Sequence, residues 1–106
     1  MPIVAIDFDN TIHDPSNKLP GKHLGGLVEG AEEALDDLYR AGHTIIIHSV
    51  MANTPGGRKA LADWLEYFAI DYHEIQGKPE ADYYIDDKAI EFKTWPRVLK
   101  KIGYTS

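Results

Sequence analysis

The sequence predicts an α/β fold: an open, mostly parallel sheet of four to five strands flanked by helices, in one domain over residues 1–106. Two observations support this prediction. Apolar runs that suit strands alternate with segments of helical periodicity, the order that right-handed strand–helix–strand crossovers produce. The two strongest runs are continuous and β-branched, which is typical of parallel strands buried on both faces.

The predicted strands are four apolar runs and a weaker fifth. The two strongest are residues 2–8 and 43–50. The third and fourth are residues 71–75 and 81–86, and the fourth is expected to bury Tyr84 and Ile85. Residues 89–92 form the weak fifth run.

Three helices are predicted between and after these strands, because apolar residues recur there on one face. Thr54 is the expected N-cap of the second helix, with Pro55 in its first turn. Gly42 and Gly103 are expected to end the first and third helices. The residues expected to face the core are Val28, Ala31, Leu35 and Leu38, then Leu61, Trp64, Leu65 and Phe68, then Val98, Leu99 and Ile102.

Composition excludes several function classes. The chain has no cysteine, which excludes disulfides, thiolate metal sites and cysteine nucleophiles. The net charge of −6 argues against a broad basic surface for nucleic acid. No apolar run approaches the roughly 20 residues that span a bilayer, and the first residues do not resemble a signal peptide. We therefore expect a cytoplasmic protein without a membrane or nucleic-acid partner.

Polar side chains concentrate where the predicted strands end, the edge at which open α/β sheets bind ligands. Several carboxylates gathered there would repel one another unless a hard cation such as Mg²⁺ lay between them. The sequence therefore predicts a site for a hard cation such as Mg²⁺ at this edge. The residues concerned are Asp7, Asp9, Thr11, Ser49, Lys78, Asp86 and Asp87.

Four short segments resemble, in order, the four signatures of the haloacid dehalogenase (HAD) superfamily. Residues 7–11 (Asp-Phe-Asp-Asn-Thr) are similar to the Asp-x-Asp-x-Thr that follows the first strand of the family. Residues 45–49 (Ile-Ile-Ile-His-Ser) are similar to its second signature, Lys78 to its third, and residues 84–87 (Tyr-Ile-Asp-Asp) to its fourth. Residues 29–35 also look like its first helix. The resemblance implies a Rossmann-like, HAD-like fold.

The resemblance further implies a phosphatase that works through an aspartyl-phosphate intermediate. Asp7 would be the nucleophile, and Asp9 would protonate the leaving oxygen and then deprotonate the attacking water. Thr11, Ser49 and Lys78 would form the phosphate-binding set. The hydroxyl of Thr11 is also expected to steady the loop that presents Asp7.

The metal implied by the resemblance is Mg²⁺. Its expected ligands are Asp7, the backbone carbonyl of Asp9 and one acid of the pair Asp86 and Asp87. The sequence leaves open which acid of that pair binds the ion directly. The other acid would contact the ligands of the ion and not the ion itself.

Some assignments stay open at this stage. His13 follows the first signature and could touch the substrate, as could Arg58. Lys59 and Lys88 compete with Lys78 for the lysine role.

The other histidines and the tryptophans have simpler interpretations. His48 is expected to pack on the face of its strand opposite Ser49, and Trp64 and Trp95 to lie in or beside the core. The remaining histidines, His23, His43 and His73, show no spacing typical of a zinc site.

No room for a cap domain is evident at the two places where the family inserts one. Residues 10–27 are rich in proline and glycine, which indicates a loop. The second segment, residues 75–81, is shorter than the first. The resemblance implies that capless relatives act on large phosphorylated molecules or borrow a lid from a second subunit of a homo-oligomer. The acidic net charge disfavours a nucleic-acid end, so the expected substrate is a phosphorylated small molecule such as a nucleotide or sugar phosphate. Residues 10–27 and 51–57 are the expected specificity elements.

Three alternative functions compete with the phosphatase. A non-catalytic or regulatory module could keep the same fold. A signalling receiver would need its acceptor aspartate after the third strand, where this chain has His73-Glu74-Ile75. Dehalogenase chemistry is disfavoured by the acid at Asp9.

Overall fold

The structure, a computed structural model, describes residues 2–19 and 24–103 of the chain. His23 therefore lies outside the described residues. The elements in chain order are β1 (Ile3–Asp7), β2 (His13–Lys18), β3 (Gly25–Leu27), α1 (Ala31–Arg40), β4 (Thr44–Ser49), a 3₁₀ helix (Val50–Asn53), α2 (Pro55–Tyr67), β5 (Glu74–Gly77) and α3 (Trp95–Ile102). The predicted α/β class is confirmed.

The central sheet is parallel, with β4 between β1 and β5. The β-branched run in β4 explains its central place, since Ile45 and Ile47 are fully buried on one face. The chain leaves β1 and returns to β4 through α1, then leaves β4 and returns to β5 through α2. Parallel neighbours require such crossovers, so all three strands end at the same edge of the sheet.

The helices pack on this sheet through the apolar faces that the sequence predicts. In α1 the buried residues include Leu35 and Leu38, and in α2 they include Leu61 and Leu65. These side chains share one core cluster with Ile6 of β1 and with both tryptophans. The prediction that Trp64 and Trp95 lie in the core is confirmed.

The predicted helix ends are also confirmed. The backbone N–H of Gly57 donates to Thr54 Oγ1 at 3.1 Å, and Pro55 occupies the first turn of α2. Gly42 after α1 and Gly103 after α3 have positive φ angles of 93° and 94°. Only glycine adopts this conformation at little cost, so these residues end their helices.

The strand predicted over residues 81–86 does not form, and the parallel sheet has three strands among the described residues instead of four to five. Tyr84 and Ile85, expected to be buried, are 49% and 99% exposed. A strand needs a hydrogen-bonded neighbour and an apolar face to pack, and this segment has neither. The hydrogen bonds of this segment are local. Tyr84 Oη donates to the Pro79 carbonyl, and the Lys88 N–H donates to Asp86 Oδ1 at 2.7 Å. The weak run over residues 89–92 is not a strand either.

Two further predictions need correction. The third strand begins at Glu74, not at residue 71, because the chain only reaches β4 at His73, whose N–H donates to the Ile45 carbonyl. Residues 10–27, predicted as a loop, contain the antiparallel pair of β2 and β3. Lys18 pairs with Gly25 across a register shift.

Residues 2–19 and 24–103 contain three α-helices and a short 3₁₀ helix. None of the helices there has both the length and the apolar character to cross a bilayer.

Candidate active site

Three of the predicted site residues lie at one edge of the parallel sheet. Asp7 is the last residue of β1 and Ser49 the last of β4, and Lys78 directly follows β5. The strand register aligns Asp7 with His48, and Ser49 with Gly77. Because parallel strands end together, residues distant in sequence become neighbours at this edge.

Asp7 and Lys78 are in contact. Lys78 Nζ lies 3.3 Å from Asp7 Oδ1, and the Asp7 side chain remains 39% exposed while that of Lys78 is 14% exposed. The ring of Tyr84 lies against the same ammonium group, with its centroid 4.1 Å from Nζ. Lys78 is thus held between a carboxylate and an aromatic face, which both attract a cation. The carboxylate of Asp7 stays open to solvent.

The competing lysines lie elsewhere. Lys59 Nζ contacts Asp63 at 2.9 Å on the outer surface of α2. Lys88 is exposed in the segment after β5. Of the three lysines considered, Lys78 is the one whose ammonium group contacts Asp7.

Asn53, which the sequence analysis did not single out, anchors the backbone of Lys78. Its Nδ2 donates to the Lys78 carbonyl at 2.8 Å, and its Oδ1 accepts from the Lys78 N–H at 3.0 Å. A Cβ on Gly77 would collide with Asn53 Oδ1 and would have to displace that oxygen from the Lys78 N–H. No local signal in the sequence distinguishes an anchoring asparagine from a loop asparagine, and the specificity role of residues 51–57 stays a prediction.

The turn after β1 places Asp9 near the same edge. The Phe8 carbonyl accepts from the N–H groups of Thr11, Ile12 and His13, which closes a tight turn. Asn10 adopts a left-handed conformation with φ of 62°, which asparagine tolerates better than most residues. The side chain of Asp9 is 53% exposed.

His13 contacts Asp9. His13 Nδ1 lies 2.8 Å from Asp9 Oδ1, and the Gly25 N–H donates to His13 Nε2 at 2.8 Å. His13 is only 3% exposed, so both ring nitrogens are engaged inside the protein.

Arg58, the other residue considered for substrate contact, donates from a terminal guanidinium nitrogen to the Ile75 carbonyl at 2.6 Å. It thereby ties α2 to β5. Like His13, Arg58 makes this hydrogen bond within the fold.

Thr11 and Ser49 take part in backbone contacts. The Thr11 carbonyl accepts from Trp95 Nε1 at 2.8 Å, so this contact uses its backbone and not its hydroxyl. Ser49 is 3% exposed, and its Oγ accepts from the Met51 N–H at 3.1 Å. This contact caps the 3₁₀ helix and leaves the hydroxyl hydrogen of Ser49 able to donate.

His48 borders the site. It is half-buried and aligned with Asp7 across the β1–β4 pair. Burial lowers the pKa of His48 below its usual value, the Lys78 ammonium lowers it further, and the Asp7 carboxylate opposes both effects. A neutral imidazole is therefore favoured here at neutral pH.

The other described histidines have structural contacts. His73 Nδ1 accepts from the Ile45 N–H at 3.0 Å, and its ring stacks on Tyr39. His43 Nδ1 lies 3.3 Å from the Leu38 carbonyl.

Asp86 and Asp87 lie in the exposed segment between β5 and α3. Within residues 2–19 and 24–103, no three acidic or histidine side chains lie close enough to hold a metal ion. The acids of residues 86–87 therefore do not form one cluster with Asp7 and Asp9 in this conformation.

Comparison with known proteins supports the architecture. No protein-family profile and no curated protein sequence matches the chain. Among solved structures, a structural-genomics target from Vibrio cholerae matches with a TM-score of 0.67 and 22% identity, over 85% of this chain and 83% of that one. The D,D-heptose 1,7-bisphosphate phosphatase from B. bronchiseptica, solved with magnesium and phosphate, matches with a TM-score of 0.56 and 17% identity, over 97% of this chain. The chain spans 62% of that phosphatase. At these identities the likeness is one of fold, and the expected α/β architecture, a parallel sheet flanked by helices, is confirmed.

Proposed function

We propose that this chain is a magnesium-dependent phosphohydrolase that cleaves a phosphomonoester through an aspartyl-phosphate on Asp7. The observation that carries the proposal is the contact between Asp7 and Lys78. An exposed carboxylate at a strand end is available as a nucleophile, and a fixed ammonium group beside it can neutralise the phosphoryl charge that develops during transfer. The likeness in fold to the B. bronchiseptica phosphatase, which was solved with magnesium and phosphate, supports the assignment as a phosphatase.

The proposed reaction has two steps. An Asp7 oxygen attacks phosphorus, the bond from phosphorus to the substrate oxygen breaks, and that oxygen takes the proton held by Asp9. Water then attacks the aspartyl-phosphate, Asp9 takes a proton from it, and the bond between phosphorus and Asp7 breaks. The products are an alcohol and inorganic phosphate, and both aspartates return to their first states. Ser49 and Thr11 are the proposed hydroxyl donors to the phosphoryl oxygens.

The proposed cofactor is Mg²⁺, bound by Asp7, the Asp9 carbonyl and one acid of the pair Asp86 and Asp87. This assignment requires one acid of the exposed pair to lie beside the end of β1. Magnesium would supply positive charge between the carboxylates and the phosphate. Its binding can be measured by calorimetry, and a chain that binds no Mg²⁺ would contradict the cofactor assignment.

The proposed substrate is a phosphorylated small molecule, such as a sugar phosphate or a nucleotide, handled in the cytoplasm. Asp7 and Asp9 are both substantially exposed, which suits a site that a substrate enters from solvent. A screen of phosphorylated metabolites with Mg²⁺ would identify the class. We also propose that the chain forms a homo-oligomer in which a second copy covers the site. Light scattering would measure this oligomeric state.

The nucleophile assignment is tested by Asp7→Asn. The parent chain should hydrolyse an aryl phosphate in the presence of Mg²⁺, and Asp7→Asn should not. Asp36→Asn, on the exposed face of α1 where Asp36 pairs with Arg40, is the matched control and should retain activity. Turnover near the parent level in Asp7→Asn would exclude Asp7 as the nucleophile.

A second candidate function is a regulatory module that accepts a phosphoryl group without turning it over. Among residues 2–19 and 24–103 no three acidic or histidine side chains form a metal-binding group, which favours it, because an incomplete metal site would slow hydrolysis of the intermediate. Incubation with acetyl phosphate distinguishes the two. A stable phosphorylated chain supports the module, and rapid release of inorganic phosphate supports the enzyme.

A further inference from the structure

We propose that His13 is a positioning residue for Asp9: it fixes the carboxylate orientation and leaves Oδ2 as the oxygen that carries the transferable proton. The proposal rests on the proposed function, in which Asp9 is the general acid and base. It assigns to His13 a role different from the substrate contact considered above.

The hydrogen bonds of His13 determine where its proton lies. The Gly25 N–H can only donate, so His13 Nε2, at 2.8 Å, must offer its lone pair. The ring hydrogen of the neutral imidazole is then on Nδ1. Nδ1–H therefore donates to Asp9 Oδ1 at 2.8 Å, and a backbone group 12 residues away selects this tautomer.

The His13 ring is held rigidly in this orientation. It stacks on Phe8 with centroids 4.8 Å apart and an angle of 3° between the planes. The edge of Trp64 packs against it with centroids 5.7 Å apart. Trp64 Nε1 also donates to the Gly25 carbonyl at 2.8 Å, so Gly25 is fixed through both of its backbone polar groups. His13 is buried among these groups, with an exposure of 3%.

The consequence falls on Asp9. Its Oδ1 receives a donor, so a proton on that oxygen would oppose Nδ1–H and is disfavoured. Within the described residues no other hydrogen bond to this carboxylate is present, which leaves Oδ2 for proton exchange. A general acid held in one orientation loses less entropy on reaching its reaction geometry than a freely rotating one.

The test compares His13→Phe with His13→Asn on two substrates. Phenylalanine keeps an aromatic ring but removes both hydrogen bonds, whereas asparagine can place a donor near the position of Nδ1. An alkyl phosphate needs protonation of its leaving oxygen, and an aryl phosphate needs it much less. We expect His13→Phe to lower kcat by roughly 10- to 100-fold for the alkyl substrate and by less than about threefold for the aryl one, with KM little changed. His13→Asn should recover part of the loss.

His73→Phe is the matched control. His73 also accepts a backbone N–H through Nδ1 and stacks on an aromatic ring, but its recorded contacts include no carboxylate. The His73→Phe variant should lower kcat for both substrates by the same factor, or leave both unchanged. Equal losses on the two substrates in His13→Phe, or no loss, would overturn the proposal while leaving the parent turnover, and hence the proposed function, intact. Absence of turnover in the parent chain would refute the proposed function instead.

A measurement on the parent protein tests the proposal without any variant, so misfolding of a variant cannot affect it. Nitrogen NMR of the His13 ring should find Nδ1 protonated and Nε2 unprotonated in the neutral imidazole. The opposite tautomer would remove the donor to Asp9 and overturn the proposal without any activity measurement.

Discussion

Asn53→Ala is the most informative perturbation of the site, because it changes the placement of Lys78 without touching that side chain. The substitution removes the donor to the Lys78 carbonyl at 2.8 Å and the acceptor for its N–H at 3.0 Å. Asn53 is exposed, so each hydrogen bond is taken at the low end of the usual range, and the two together contribute about 1 kcal/mol.

That energy sets the expected effects. A loss of about 1 kcal/mol is a factor of about five in an equilibrium, so we expect kcat/KM for an aryl phosphate to fall about fivefold. The melting temperature should fall by about 4 °C. Asp63→Ala, which breaks the exposed contact with Lys59 on α2, is the control and should leave kcat/KM unchanged.

A double-mutant cycle tests whether Asn53 acts through Lys78. In a Lys78→Ala background, Asn53→Ala should lower the melting temperature but cause no further loss of activity. The same fivefold loss in both backgrounds would refute the positioning role, as would an unchanged kcat/KM in Asn53→Ala alone.

Three further predictions follow from contacts near the site. Gly25→Ala should lower the free energy of unfolding by about 1–3 kcal/mol in urea titrations, since its Cβ would collide with the Asp14 carbonyl; an unchanged midpoint would contradict that packing. His48 has a lowered pKa in the folded chain, so the unfolded chain binds more protons and the stability of the metal-free protein should fall as pH drops below about 6.5. His48→Gln should remove this part of the acid sensitivity, and identical pH slopes for the two proteins would count against it. Ser49→Ala should destabilise the chain by about 1 kcal/mol through loss of the cap on the Met51 N–H, whereas Ser49→Thr should melt close to the parent.

Local sequence determined the helix ends well. Thr54 with Pro55 begins α2, and Gly42 and Gly103 follow α1 and α3 as predicted. These features depend on the backbone preferences of a few adjacent residues and need no distant partner. The alternation of strands and helices also sufficed for the α/β class, because parallel strands require crossovers.

Features that depend on distant partners were not predictable in the same way. Residues 81–86 have the composition of a strand but lack a hydrogen-bonded neighbour. The contact of Asn53 with Lys78 spans 25 residues, and that of His13 with Gly25 spans 12. The sequence identified Asp7 and Ser49 by their positions at strand ends, and Lys78 by its place before the paired acids in the family resemblance. Their proposed roles remain predictions for the experiments above.

In the resting chain Lys78 already has a carboxylate partner, so under the proposed function an incoming phosphate ester would compete with Asp7 for the same ammonium group. On the proposed reaction, hydrolysis restores this internal competitor at the moment when inorganic phosphate must depart. A tethered group 3.3 Å away has a high effective concentration compared with a dissolved ion. The resting ion pair would therefore favour product release and weaken product inhibition, in exchange for weaker capture of dilute substrate.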